Sequence, residues 1–160
     1  MHRKNRKYKR YQVPRLQYPT NLKFTTSGES HLLCNGKTVQ VIPSLMILPE
    51  DNPPVDFVIY GIGRFSFSLT GADVYIFSFS NVRNEQADCC ILSKDELICM
   101  LKPYHYDGDT ITLKLILSER GLHECYRAGA EAFFMGLWMD NSRDFTEFHN
   151  NWSVFKDENV

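Results

Sequence analysis

The stretch that decides the fold reads Arg64-Phe65-Ser66-Phe67-Ser68-Leu69-Thr70-Gly71-Ala72-Asp73-Val74-Tyr75-Ile76-Phe77-Ser78-Phe79-Ser80. Phe65, Phe67 and Leu69 alternate with Arg64, Ser66, Ser68 and Thr70. After the Gly71 turn, Tyr75, Phe77 and Phe79 again share one face. Successive side chains of a strand point to opposite faces, so period-two patterning means two strands, each with one aromatic face to bury. The other face is largely Ser, Thr and Arg, which suits solvent or a polar ligand. Short glycine turns before and after it, at Gly61-Ile62-Gly63 and Thr70 to Asp73, predict an antiparallel meander.

The pattern extends outward in both directions. His31 to Cys34 and Lys37 to Ile42 flank Asn35-Gly36, a strong two-residue hairpin signal. Pro43 ends or kinks that strand, and 49–54 reads as an acidic turn-rich loop. Val55 to Tyr60 and Cys89 to Leu92 are apolar strand candidates. Ser93-Lys94-Asp95-Glu96 is a capping box that opens a helix running to about Leu101, before Pro103. Asp107-Gly108-Asp109 turns the chain into another strand, with Ile111, Leu113, Leu115 and Leu117 on one face. Leu122, Cys125, Tyr126, Ala130, Phe133, Phe134, Leu137 and Trp138 recur at helical spacing, and Phe145, Phe148, Trp152 and Phe155 suggest a last short helix. The expectation is an α+β domain: an antiparallel β-sheet meander with two or three helices, mainly C-terminal, packed on one face.

Charge is strongly segregated along the 160 residues. Residues 1–23 hold Arg3, Lys4, Arg6, Lys7, Lys9, Arg10, Arg15 and Lys23 and no acid, a charge of +8. The remainder carries ten basic and all nineteen acidic side chains, a charge of −9. The organisation expected is a basic flexible arm over 1–23, a polar linker at Thr25 to Ser30, and a single globular domain over 24–160. A basic arm on an acidic body points to a polyanion partner, nucleic acid or an anionic membrane surface. Tyr8, Tyr11 and Tyr18 interleave the charges; Tyr8 and Tyr11 are candidates to stack on unpaired bases. The body is expected to self-associate and to offer a surface for a protein partner.

Catalytic constellations are not legible. Cys34, Cys89, Cys90, Cys99 and Cys125 are irregularly spaced, and the adjacent pair Cys89/Cys90 would point to opposite faces of a strand. Zinc spacings of the Cys-x(2–4)-Cys or His-x(3–5)-His kind do not occur, so no metal and no cofactor are expected. Gly61-Ile62-Gly63 lacks the third glycine and following helix of a phosphate loop. Asp56 resembles the first metal-binding acid of restriction-endonuclease-like folds. The next strand, from Arg64, supplies no second carboxylate or lysine, and no lysine occurs between Lys37 and Lys94. The balance favours a non-enzymatic binding or assembly protein. A silent nuclease-like interaction module using Arg64 and Arg83 is the first alternative, and a metal-dependent nuclease with a dispersed site the second. No run approaches the ~20 apolar residues of a membrane helix or the core of a secretory signal, so an intracellular location, cytoplasmic or nuclear, is expected.

The layout of basic arm, compact β body and late helices is similar to matrix proteins of rhabdovirus-like viruses, and in outline to small viral capsid or shuttle proteins. The segment that carries it is Asp109 to Glu119, a long strand running toward a helix near Gly121. The resemblance implies self-association, membrane binding and contact with a ribonucleoprotein. The Pro-Pro-x-Tyr recruiting motif of matrix proteins has no counterpart, because Pro53-Pro54-Val55-Asp56 places Asp where Tyr belongs.

Overall fold

The computed structural model describes residues 18–27, 31–44, 58–81, 87–124 and 143–156. Two five-stranded sheets face each other across an aromatic interior. The first has the order β1 (Thr25–Ser27), β2 (His31–Cys34), β3 (Lys37–Pro43), β5 (Val74–Phe79), β6 (Asp88–Ser93). The second has the order β10 (Arg143–Asp144), β9 (Gly121–Glu124), β8 (Thr110–Ser118), β4 (Ile59–Phe67), with β7 (Tyr106–Asp107) also paired to β8.

The α+β expectation is therefore wrong. Strands make up 53% of the described residues and helical turns 17%, with a single helix of seven residues, α1 (Lys94–Met100). Such a chain is a two-layer β protein rather than a sheet with helices on one face. The meander is also wrong. β4 pairs antiparallel with β8, from Gly61↔Leu117 to Phe67↔Ile111, while β5 lies parallel to β3, from Val39↔Val74 to Pro43↔Ser78. Alternation correctly marks Phe65, Phe67, Tyr75, Phe77 and Phe79 as buried. It does not say whether the two strands pair edge to edge or face each other from different sheets. They face each other: Phe77 meets Phe65 and Phe67 in tilted, edge-on contacts, with ring centroids 5.1 and 5.0 Å apart.

Thr70 to Asp73 is thus a crossing between sheets, and Asp73 sets where it lands. Its Oδ2 accepts from the Thr38 N–H and hydroxyl at 2.9 and 3.1 Å, and its own N–H donates to the Thr38 carbonyl. The start of β5 is thereby pinned beside β3 in parallel. Gly61-Ile62-Gly63 is strand and not the expected turn. A Cβ on Gly61 would lie 2.3 Å from the Ser80 carbonyl oxygen, and one on Gly63 would lie 2.6 Å from the Phe65 ring. These glycines permit close approach between layers, as strand glycines commonly do. The register slips between Ile59 and Gly61, a β-bulge at Tyr60.

Other local signals hold. Asn35 and Gly36 take left-handed φ values of 51° and 76°, the backbone a tight hairpin between β2 and β3 demands. Ser93 and Glu96 form the reciprocal capping box of α1. Ile111, Leu113, Leu115 and Leu117 line the inter-sheet core. Part of the expected linker is strand β1.

The C-terminal expectations change most. Residues 121–124 form β9, with Leu122 in the core, and not the start of a helix; the rest of that predicted helix, 125–138, lies outside the described residues. Phe145 to Phe155 is not one helix but two 3-10 turns, Thr146–Phe148 and Trp152–Phe155. Between them Asn150 adopts φ 48°, and the chain runs along the outer edge of β6: Cys90 bridges His149, and Asn150 N–H donates to the Cys89 carbonyl at 2.7 Å. Phe145 and Phe148 enter the inter-sheet core, whereas Phe155 packs on the opposite face of the first sheet. The segment is a strap that covers a sheet edge otherwise open to pairing.

Candidate functional site

Among the described residues, two polar knots are built on buried carboxylates, Glu124 and Asp88. In one, Glu124 of β9 is almost fully buried. One carboxylate oxygen contacts Nε2 of buried His105 and accepts from the Tyr104 hydroxyl at 3.1 Å; the other lies 3.5 Å from an Arg143 guanidinium nitrogen. The Lys102 N–H donates to His105 Nδ1 at 2.8 Å, which leaves the Nε2 proton to face Glu124. Arg143 also donates to the Met100 carbonyl. The Tyr104 hydroxyl is pushed up from its ordinary pKa, first by burial and then by the Glu124 carboxylate, against the opposing pull of Arg143. The knot ties the end of α1 and the 103–105 turn to β9 and β10.

The second knot fastens the strap. Asp88 Oδ1 accepts from His149 Nε2 at 2.8 Å and Asn150 Nδ2 at 3.0 Å, and Asn150 Oδ1 accepts from the Cys89 N–H at 2.8 Å. Burial works to raise the Asp88 pKa, but hydrogen bonds from His149, Asn81 and Asn150 outweigh it and hold the carboxyl below its ordinary value. Of the thiols, Cys34, Cys89 and Cys90 are buried. Cys90 faces the inter-sheet core and Cys89 the opposite side, as adjacency requires. Burial pushes all three up, Cys89 to about 12, so they are overwhelmingly protonated and poor nucleophiles at neutral pH. Among the described residues no group of three His, Cys, Asp or Glu side chains could hold a metal ion.

Of the arm, Arg3, Lys4, Arg6, Lys7, Tyr8, Lys9, Arg10, Tyr11 and Arg15 lie outside the described residues, as do Asp56 and Arg83. The arm's last part is placed. Tyr18 stacks on Phe24 with ring centroids 4.1 Å apart and meets Trp152 edge-on at 6.1 Å; Phe24 lies edge-on to Phe155 at 5.3 Å. Leu22 and Phe24 pack on the outer face of the first sheet beside the strap. Lys23 is exposed. Lys37 donates to the Val154 carbonyl at 2.6 Å and Asn35 to the Phe155 carbonyl at 2.7 Å, tying the β2–β3 hairpin to the strap. From Tyr18 to Phe24 the chain is therefore held by an aromatic anchor on the outer face of the first sheet.

The sequence reading missed one grouping. Arg64 of β4 stands directly across from Lys114 of β8, with Ser66 across from Thr112 in the next row. The outward position of Lys114 follows from alternation with Leu113 and Leu115, but only the register brings it to Arg64. No protein family model matches the chain, and no similar characterised protein or solved structure was found. Among the described residues no helix is long and apolar enough to cross a membrane.

Proposed function

We propose that this chain is a non-enzymatic protein that binds single-stranded nucleic acid through its basic arm, with the β-sandwich as carrier. The observation that carries the reading is charge segregation: +8 within the first 23 residues against −9 in the rest. Cations held on one segment neutralise phosphates and release counterions, a gain that dilute, mixed charge does not deliver. Tyr8 and Tyr11, set among six of those cations, offer π-faces to unpaired bases, which favours a single strand over a lipid headgroup. The aromatic anchor of Tyr18 and Phe24 supports the reading, because it joins the arm to the body through a fixed point.

The test is a salt titration of binding by the full chain and by a variant with Arg3, Lys4, Arg6, Lys7, Lys9, Arg10 and Arg15 changed to Gln. Ligands are single-stranded RNA and DNA, duplex DNA, and phosphatidylserine vesicles. With seven engaged charges in the arm, the log–log slope for a single strand is steeper in the full chain than in the variant by roughly 5. Equal binding by both proteins overturns the arm mechanism. Binding to vesicles without binding to nucleic acid overturns the ligand and points to the matrix-like role.

A further inference from the structure

We infer that the outer face of the second sheet is a second phosphate-binding surface for the same single-stranded nucleic acid, centred on Arg64 and Lys114. This rests on the reading above for the identity of the ligand, and on separate residues for its evidence. Arg64 and Lys114 are cross-strand partners between β4 and β8. The Arg64 N–H donates to the Ser44 hydroxyl at 3.0 Å, on the side of β4 away from β8. The pair is consequently a non-hydrogen-bonded one, the closer of the two antiparallel arrangements, with Cα atoms roughly 4.5 Å apart.

Like charges directly opposite each other in this arrangement are destabilising. A body with nineteen acidic residues has ample means to neutralise them. Among the described residues none does: neither side chain forms an ion pair. Of the described acids on this side of the sheet, Asp107 is across from Thr110, and Asp144, on β10, lies 3.9 Å from His123. In the adjoining row Ser66 and Thr112 place two hydroxyls on the same face. Two cations without an ion-pair partner among the described residues, with two hydroxyl donors beside them, complement consecutive phosphates of a nucleic-acid backbone. The apolar alternates of these strands are spent on the core, so the sheet itself holds the four groups in register.

The test compares the full chain, Arg64→Gln/Lys114→Gln, Lys114→Glu, and the arm variant above, titrated with a single-stranded RNA and a single-stranded DNA of about 20 nucleotides. Two lost phosphate contacts lower the salt slope by roughly 1.4 and weaken binding roughly 25-fold at 0.1 M salt. Thermal melting distinguishes this from unfolding. Relief of like-charge repulsion leaves the Tm of the double variant unchanged or higher, and Lys114→Glu, which creates an opposite-charge pair, raises it by roughly 1–2 °C while still weakening binding. Loss of affinity with an undiminished Tm establishes the surface. Unchanged affinity and slope in both sheet variants overturn it, even when the arm variant loses binding and the arm reading stands. Sheet variants that lose binding while the arm variant keeps it establish this surface and overturn the arm. A full chain that binds neither strand overturns both.

Discussion

The two sheets contain similar strands and treat the outer faces of their central strands differently. Every residue of β5, at the interior of the first sheet, is buried. Tyr75, Phe77 and Phe79 fill the space between the sheets, while Val74 and Ile76 meet Val39, Ile91 and Phe155 on the far side. The second sheet buries Phe65, Phe67, Leu113 and Leu115 and turns Arg64, Ser66, Thr112 and Lys114 outward. A strand covered on both faces reads as a continuous apolar run, and one covered on a single face alternates. The contrast separates two kinds of surface. The strap and the arm's root lie over the first sheet. The second keeps polar side chains outward in the Arg64–Lys114 and Ser66–Thr112 rows, while Ile116, one row further along the same side of β8, is buried.

The comparison is broken most directly by truncation in the two aromatic layers. Phe77→Ala, between the sheets, is expected to cost about 3–5 kcal/mol. If the strap creates a second core and not a loose cover, Phe155→Ala belongs in the same range, because its ring is fully buried as well. Urea denaturation monitored by circular dichroism measures both. A cost below about 1 kcal/mol for Phe155→Ala means the outer face of the first sheet is only lightly covered, and the contrast between the sheets fails. Gly61→Ala comes next, at about 2–3 kcal/mol, because the new methyl would meet the Ser80 backbone carbonyl and not a side chain able to swing away. A neutral result there places the layers further apart at that corner.

These effects also mark what could be read from the residues. The faces of β4, β5 and β8 were legible, because alternation is a property of each strand alone. So were the Asn35-Gly36 turn and the Ser93 capping box, which are closed by neighbours in the chain. Pairing was not legible. Whether Phe65 lies beside Phe77 or across from it depends on Asp73 gripping Thr38, a contact 35 residues apart in sequence. The strap was missed for a related reason: Phe145, Phe148, Trp152 and Phe155 fit a helical face, but their rings serve opposite sides of the first sheet, and Asn150 reverses the backbone between them. At the candidate site, the arm is plain in the sequence as a run of charge. The Arg64–Lys114 pair exists only once β4 and β8 are in register.

Acid sharpens the account of the strap. The Asp88 carboxyl titrates below its ordinary value of 3.8 when folded. A group with a depressed folded pKa contributes stability that is complete above the unfolded pKa and is lost as pH falls through the folded one. The Asp88 contribution is therefore full at neutral pH and declines below about pH 4. Asp88→Asn is expected to lower stability at pH 7 by about 1–2 kcal/mol, since charged hydrogen bonds are replaced by neutral ones. It also flattens the stability curve between about pH 4 and 2. Denaturation midpoints of both proteins across that range measure it, and parallel curves show that His149 and Asn150 do not depend on the carboxylate.

The finest test exchanges the same two groups on the two outer faces. Val39 and Thr112 are outward-facing strand residues that differ by a methyl and a hydroxyl. Val39, under Phe155 and the arm's root, has no measurable exposure. Thr112 is half-buried on the polar face. Val39→Thr puts a hydroxyl where water does not reach and is expected to cost about 1–3 kcal/mol. Thr112→Val removes a hydroxyl that has solvent for a partner, and a strand position favours either β-branched residue, so the expected change is within about 0.5 kcal/mol. The sign of the asymmetry matters more than either value. Equal costs would mean that the outer face of the second sheet is as tightly covered as that of the first, leaving no polar surface for Arg64 and Lys114 to share. A clear difference, with Thr112→Val weakening nucleic-acid binding while leaving the Tm unchanged, ties the stability contrast between the sheets to the surface that one of them keeps open.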